Sequence, residues 1–169
     1  MGLLAAIGWV ALALILWTHV GYPLLAFVWS RVLPRRIEED DMEPFVALVI
    51  AAHNEADVIE AKIENALALD YPRERLRIVV ASDASDDGTD EIVERYASQG
   101  VELVRAERGG KVNAQDTAVR ALGDWPDVLA FSDANCAWEP DALRLLLRPF
   151  ADERVAYVCG RLKIGRAHV

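Results

Sequence analysis

Two patterns of apolar residues divide this chain. From Gly2 to Ser30 the run "GLLAAIGWVALALILWTHVGYPLLAFVWS" contains no Asp, Glu, Lys or Arg. Beyond residue 44, short apolar runs alternate with helical stripes. About 20 residues at 1.5 Å each cross the roughly 30 Å hydrocarbon layer of a bilayer, so residues 1–30 are expected to form a transmembrane anchor. Trp9, Trp17, Tyr22 and Trp29 suit interface depths. Arg31, Arg35 and Arg36 follow directly, which puts the body of the chain on the cytoplasmic side. A cleaved signal peptide would want a basic start, a shorter apolar core and a small-residue cleavage site, and none of these is clear. Thr18, Gly21 and Pro23 predict a kink or an early exit from the membrane.

Residues 31–43, "RVLPRRIEEDDME", form a charged linker before the second pattern begins. "FVALVIAA" is apolar throughout, as a strand buried on both faces would be. Asn54 is placed to cap the next helix, whose inward face is Val58, Ile59, Ile63, Ala66 and Leu67. "LRIVVAS" predicts a second buried strand, followed by a helix facing inward through Ile92, Val93, Tyr96 and Ala97. "GVELVRA" reads as a third strand. "GGKVNAQDTAVRALG" reads as a helix with Val112, Val119 and Leu122 inward. "DVLAFSD" is a fourth strand, "EPDALRLLLRPF" a helix striped by Leu143, Leu146, Leu147 and Phe150, and "VAYVCG" a fifth strand. This alternation predicts an α/β fold with a mostly parallel, doubly wound sheet over 44–163.

Charge and cysteine content narrow the functions. All 27 acidic residues lie between positions 38 and 153, and the net charge is −9. Nucleic acid is therefore excluded as a partner, because binding it needs a basic surface. Cys136 and Cys159 are too few and too far apart for a zinc site or a disulfide framework. The last six residues, "IGRAHV", match the translation of a common sequencing-adapter read. Residues 164–169 are accordingly expected to be non-native, in a chain truncated near Lys163.

Ligands of doubly wound sheets collect beyond the carboxyl ends of the strands, here "AAHNE", "ASDASDDGT" and "FSDAN". The second end nearly spells a calcium loop with Asp83, Ser85, Asp87, Gly88 and Glu94. Such a loop needs a helix before it and an apolar eighth position, whereas here a strand precedes and Asp90 fills that position. Asp87, Thr89 and Asp90 read instead as caps for the following helix. Asp83, at the strand end itself, is left free to meet a ligand. Asp133 and Asn135 offer a carboxylate and a carbonyl oxygen, which suit Mg2+ or Mn2+ held jointly with diphosphate oxygens. Lys111, after two glycines at a helix start, suits an anion. Neither a dinucleotide fingerprint nor a P-loop is present.

Four blocks, "VALVIAAHNEADVI", "IVVASDASDDGTDEIV", "GGKVNAQDTAV" and "VLAFSDANCAWEPDAL", resemble in order and spacing the N-terminal half of family 2 glycosyltransferases of the GT-A fold. The start with "VGYPLL" resembles membrane-bound bacterial members. The resemblance implies inverting transfer of a sugar from a nucleotide diphosphate sugar, commonly a UDP-sugar, to a hydroxyl of a saccharide or lipid. It also implies the bacterial inner membrane as location. Carried over, Ala51, His53 and Glu55 belong to the motif around base and ribose, and Asp83 matches the acid that recognises the base. Lys111 falls near the donor, and Asp133 with Asn135 stands where the family's Asp-X-Asp binds the metal. His53 departs from a usual tyrosine, Ser82 from an acid, Asp116 from a frequent asparagine and Asn135 from the second metal acid. The family's general base lies well beyond these blocks, so no catalytic base is assigned. A competing reading is a non-catalytic, membrane-anchored module that binds a nucleotide or metal.

Overall fold

The computed structural model describes residues 2–33 and 36–161; Arg35, Lys163 and the "IGRAHV" tail lie outside the described residues. The chain divides into two compact units between Glu38 and Glu39.

The first unit is helical from Leu3 to Val32. It is 30 residues long with a mean hydropathy of 2.1, long and apolar enough to cross a membrane. Helix α1 (Leu3–Leu16) passes into α2 (Tyr22–Val32) through a π-turn at Trp17–Gly21. At the expected kink or early exit the helix widens into this turn and continues. Pro23 has no N–H and would press on the carbonyl four residues back, and a widened turn relieves this without ending the helix. A Cβ at position 21 would come within 2.6 Å of the Trp17 ring, which would have to move aside. Thr18 Oγ1 donates to the Leu14 carbonyl at 3.0 Å, giving the hydroxyl an acceptor inside the helix.

The second unit is a four-stranded parallel sheet in the order β3-β2-β1-β4. Its strands are β1 (Val46–Ala52), β2 (Leu76–Asp83), β3 (Val101–Ala106) and β4 (Val128–Asp133). β1 and β2 are buried on both faces, as continuous apolar runs require. One face carries Leu48, Ile50, Ile78 and Val80. They pack against α3 (Ile59–Leu67), α4 (Thr89–Glu94) and α6 (Ala142–Leu147) through Ile59, Ile63, Val93, Leu143 and Leu147. The other face carries Ala47, Val49, Val79 and Ala81 against α5 (Lys111–Leu122).

Three expectations change. The inward stripe of α5 is Ala114, Ala118 and Leu122, while Val112 is 77% exposed. Residues at i, i+4 and i+8 share a face, and starting the helix at Lys111 sets its phase so that alanines meet the sheet. On α4 and the turn after it, Val93 is fully buried but Ala97 is exposed. The third change is at "VAYVCG", where residues 155–160 form no strand and Tyr157 is 82% exposed. Strand propensity describes fit to a paired, half-buried surface, and this run has no ladder partner.

The end of the charged linker is fastened to the α/β unit. Glu43 pairs with Arg144 at 2.8 Å, and Tyr71 donates its hydroxyl to the Pro44 carbonyl at 2.6 Å. Burial, then the nearby Glu43 carboxylate, pushes the Tyr71 phenol up to about 12.

Candidate functional site

The carboxyl ends of β1, β2 and β4 open onto one cleft of about 240 Å³. Ala51, His53, Glu55, Asp83, Lys111, Asp133 and Asn135 all line it, with Ala52, Ala114 and Ala134 as its apolar floor. Parallel register brings this about. Ala51 stands opposite Ala81 on one side and Asp133 on the other, so three chain reversals share one rim.

The reversals after β1 and β2 are tied to each other. Asn54, at φ 54°, is not the helix cap its sequence position suggested. Its side chain exchanges two hydrogen bonds with Asp86, donating at 2.8 Å and accepting from the Asp86 amide at 3.0 Å. Thr89 Oγ1 accepts the Glu55 N–H at 2.9 Å, and Asp87 Oδ2 accepts the Ala56 N–H at 3.0 Å. Asp87 and Thr89 therefore hold the loop that presents His53 and Glu55, in addition to starting α4. The Thr89 hydroxyl, and next the Ala56 amide, hold the Asp87 carboxyl below the usual carboxylate range. Asp90 is paired with Arg105 at 2.8 Å. Ala84, immediately after Asp83, has φ 51°, a conformation rare for a residue with a Cβ.

Asp83 is almost fully buried and already engaged. Its Oδ1 accepts the amides of Gly109 at 2.8 Å and Gly110 at 3.0 Å, and Arg108 lies 3.3 Å from Oδ2. These donors, the Gly109 amide foremost, hold the carboxyl below the usual carboxylate range. Asp83 thus anchors the loop that launches α5. Gly110, at φ 86° and ψ 169°, adopts a backbone shape open to glycine alone, which aims its N–H back at Asp83.

Next along that loop, Lys111 Nζ contacts Asp133 Oδ1 directly, and both side chains are about half exposed. An exposed ion pair is worth about 0–1 kcal/mol and exchanges readily. Among the described residues, no three His, Cys, Asp or Glu side chains gather into a metal cage. The calcium-loop arrangement is absent, and Asp133 with Asn135 supplies two hard oxygen donors at the cleft wall. That set fits a divalent cation that completes its shell with ligand oxygens and water.

The pattern of Glycosyl transferase family 2 matches residues 47–167. The chain belongs to this family. A solved structure similar to it is the mannosyltransferase PcManGT from Pyrobaculum calidifontis in complex with GDP-Man and Mn2+. It is 33% identical with a TM-score of 0.69, over 84% of this chain and 44% of that one. The succinoglycan biosynthesis protein ExoO of Rhizobium meliloti is 36% identical over 111 residues, 63% of this chain and 30% of ExoO. The beta-monoglucosyldiacylglycerol synthase of Trichormus variabilis is 28% identical over 174 residues, 95% of this chain and 37% of the synthase. The chain spans about a third of the length of these curated relatives. Its GT-A sheet agrees with the fold the family resemblance implied.

Two residues near the family's metal motif were missed in the sequence, Lys62 and Asn65 of α3. Lys62 is 3% exposed, and burial pushes its ammonium down to about 8. A signal for it existed: position 62 lies four residues after Val58 and four before Ala66, on the apolar stripe. Asn65 carried no such signal. Arg108, which meets both the carboxylate and the carbonyl of Asp83, was likewise passed over.

Proposed function

We propose that this chain holds the donor end of a glycosyl transfer, from a nucleotide diphosphate sugar to a hydroxyl of a saccharide or lipid, with inversion at the sugar carbon. The carrying observation is the single cleft lined by Ala51, His53, Glu55, Asp83, Lys111, Asp133 and Asn135. Ala51, His53 and Glu55 take the base and ribose. Asp83 meets the base edge and keeps the Gly109–Gly110 loop in place. Asp133 and Asn135 would hold Mg2+ or Mn2+, and the Lys111 ammonium beside Asp133 is placed to meet the diphosphate. When bound, the metal neutralises charge growing on the leaving diphosphate, a form of leaving-group electrostatics.

Supporting a metal-dependent donor, the similar PcManGT structure contains both GDP-Man and Mn2+. The resemblance favours a UDP-sugar, while that neighbour's ligand makes GDP the comparison to run beside it. The names of the relatives, a glucosyldiacylglycerol synthase and a succinoglycan biosynthesis protein, support lipid and saccharide acceptors. The apolar helix anchors the chain in the bacterial inner membrane, with Arg31 and Arg36 and the α/β unit on the cytoplasmic side.

Calorimetric titration of the full chain in detergent micelles with UDP and GDP, with and without Mn2+, tests this reading. Binding is expected to require Mn2+ and to vanish in Asp133→Ala. Equal affinity with and without the metal refutes the role given to Asp133.

A further inference from the structure

Helix α3 carries two polar residues that the donor reading leaves without a task, and both reach the same short segment. Lys62 Nζ donates to the Cys136 carbonyl at 2.6 Å and lies 5.2 Å from the centroid of the Trp138 ring. One turn further on, Asn65 pairs with Trp138 through two main-chain bonds. Its Nδ2 donates to the Trp138 carbonyl at 2.8 Å, and its Oδ1 accepts the Trp138 N–H at 2.9 Å. A side-chain amide here does what a neighbouring strand would do.

The segment so held begins immediately after Asp133, Ala134 and Asn135. Asp133 is the last residue of β4 and is fixed by its ladder to Ala51 of β1. Asn135 lies past that last ladder pair. The turn is closed by the Cys136 N–H donating to the Asp133 carbonyl at 3.3 Å, and beyond it the backbone is fastened to α3. An ammonium buried on an apolar helix face carries a desolvation cost that a methionine there would avoid. The sequence keeps the charge, and its donor goes to the backbone one residue after Asn135.

We propose that Lys62 and Asn65 are positioning residues that fix Asn135 relative to Asp133, and so set the spacing of the oxygen pair offered to a divalent cation. This rests on the donor-site reading. Neither residue touches the cation; both act through the Cys136–Trp138 backbone. Outer partners of metal ligands commonly govern affinity in this way, with losses of about 10- to 100-fold on their removal.

The test uses the full chain in detergent micelles, with Mn2+ alone as probe, measured by calorimetry beside amide hydrogen exchange. In Asn65→Ala the Trp138 amide is expected to exchange faster while β1 amides keep their protection, and Mn2+ affinity is expected to fall by about 10-fold. Lys62→Met is expected to weaken Mn2+ similarly, with partial recovery in Lys62→Arg, which keeps a donor. Should β1 amides also lose protection in Asn65→Ala, the lysine pair decides. Wild-type Mn2+ affinity in variants with a sound sheet overturns the positioning role alone. A wild-type chain that binds Mn2+ neither alone nor in the presence of UDP or GDP overturns the metal reading first, and this proposal with it.

Discussion

Replacing Thr89 by valine removes a hydroxyl and little else, at a residue with no exposed surface. That hydroxyl accepts the Glu55 N–H at 2.9 Å and donates to Asp87 Oδ1 at 2.5 Å. Asp87 keeps the amides of Thr89 and Ala56, so its carboxylate stays partnered. The loss therefore concentrates on the Glu55 amide, left beside a methyl group in a partly buried loop. An unsatisfied buried donor costs about 1–3 kcal/mol. For a chain of this size each kcal/mol lowers the melting temperature by about 2–4 °C, so a drop of about 4–8 °C is expected for the middle of that range. Scanning calorimetry of the full chain measures it, with Thr89→Ser as a control that keeps the hydroxyl. Exchange of the Glu55 amide should quicken in the valine variant only. If Thr89→Val melts within about 1 °C of wild type and Glu55 exchange is unchanged, the loop clamp is not what holds His53 and Glu55 at the cleft.

Ala118→Leu inserts a side chain where α5 lies against Val49 and Val79, and overpacking of this kind costs about 1–3 kcal/mol. Nucleotide affinity should fall along with stability, since α5 carries Lys111; a variant with wild-type melting refutes the tight contact. Lys62 gives a pH signature. Its folded value of about 8 lies below the ordinary 10.5, so the unfolded chain binds more protons between them and stability rises with pH across that window. Above about pH 10 the raised Tyr71 works the other way, because the folded protein then holds the extra proton. Denaturation midpoints between pH 8 and 9.5 should climb in wild type and climb less in Lys62→Met; parallel curves refute the assignment.

Local pattern carried β1 and β2 well, because a strand covered on both faces is an unbroken apolar run and reads the same from either side. It failed on α5, where hydrophobicity alone favours Val112 while the sheet takes Ala114 and Ala118. Closeness of approach is a property of two surfaces, and one segment does not encode it. The rim residues were legible because parallel strands all point their carboxyl ends one way, which turns three separate polar motifs into neighbours. The partners of Lys62 and Asn65 were not, since they lie 74 and 73 residues away and depend on where the chain after β4 crosses α3. The run at residues 155–160 has strand composition, yet a strand exists only where a partner accepts its ladder.

The order β3-β2-β1-β4 turns the sheet into a fixed gauge. Asp83 closes β2 and Asp133 closes β4, with β1 alone between them. Two inter-strand steps of about 4.8 Å separate the strands that carry the two acids by nearly 10 Å. Main-chain hydrogen bonds set that interval. A molecule that touched both ends would have to span that interval. Tolerance for longer or shorter molecules would have to come from the three loops.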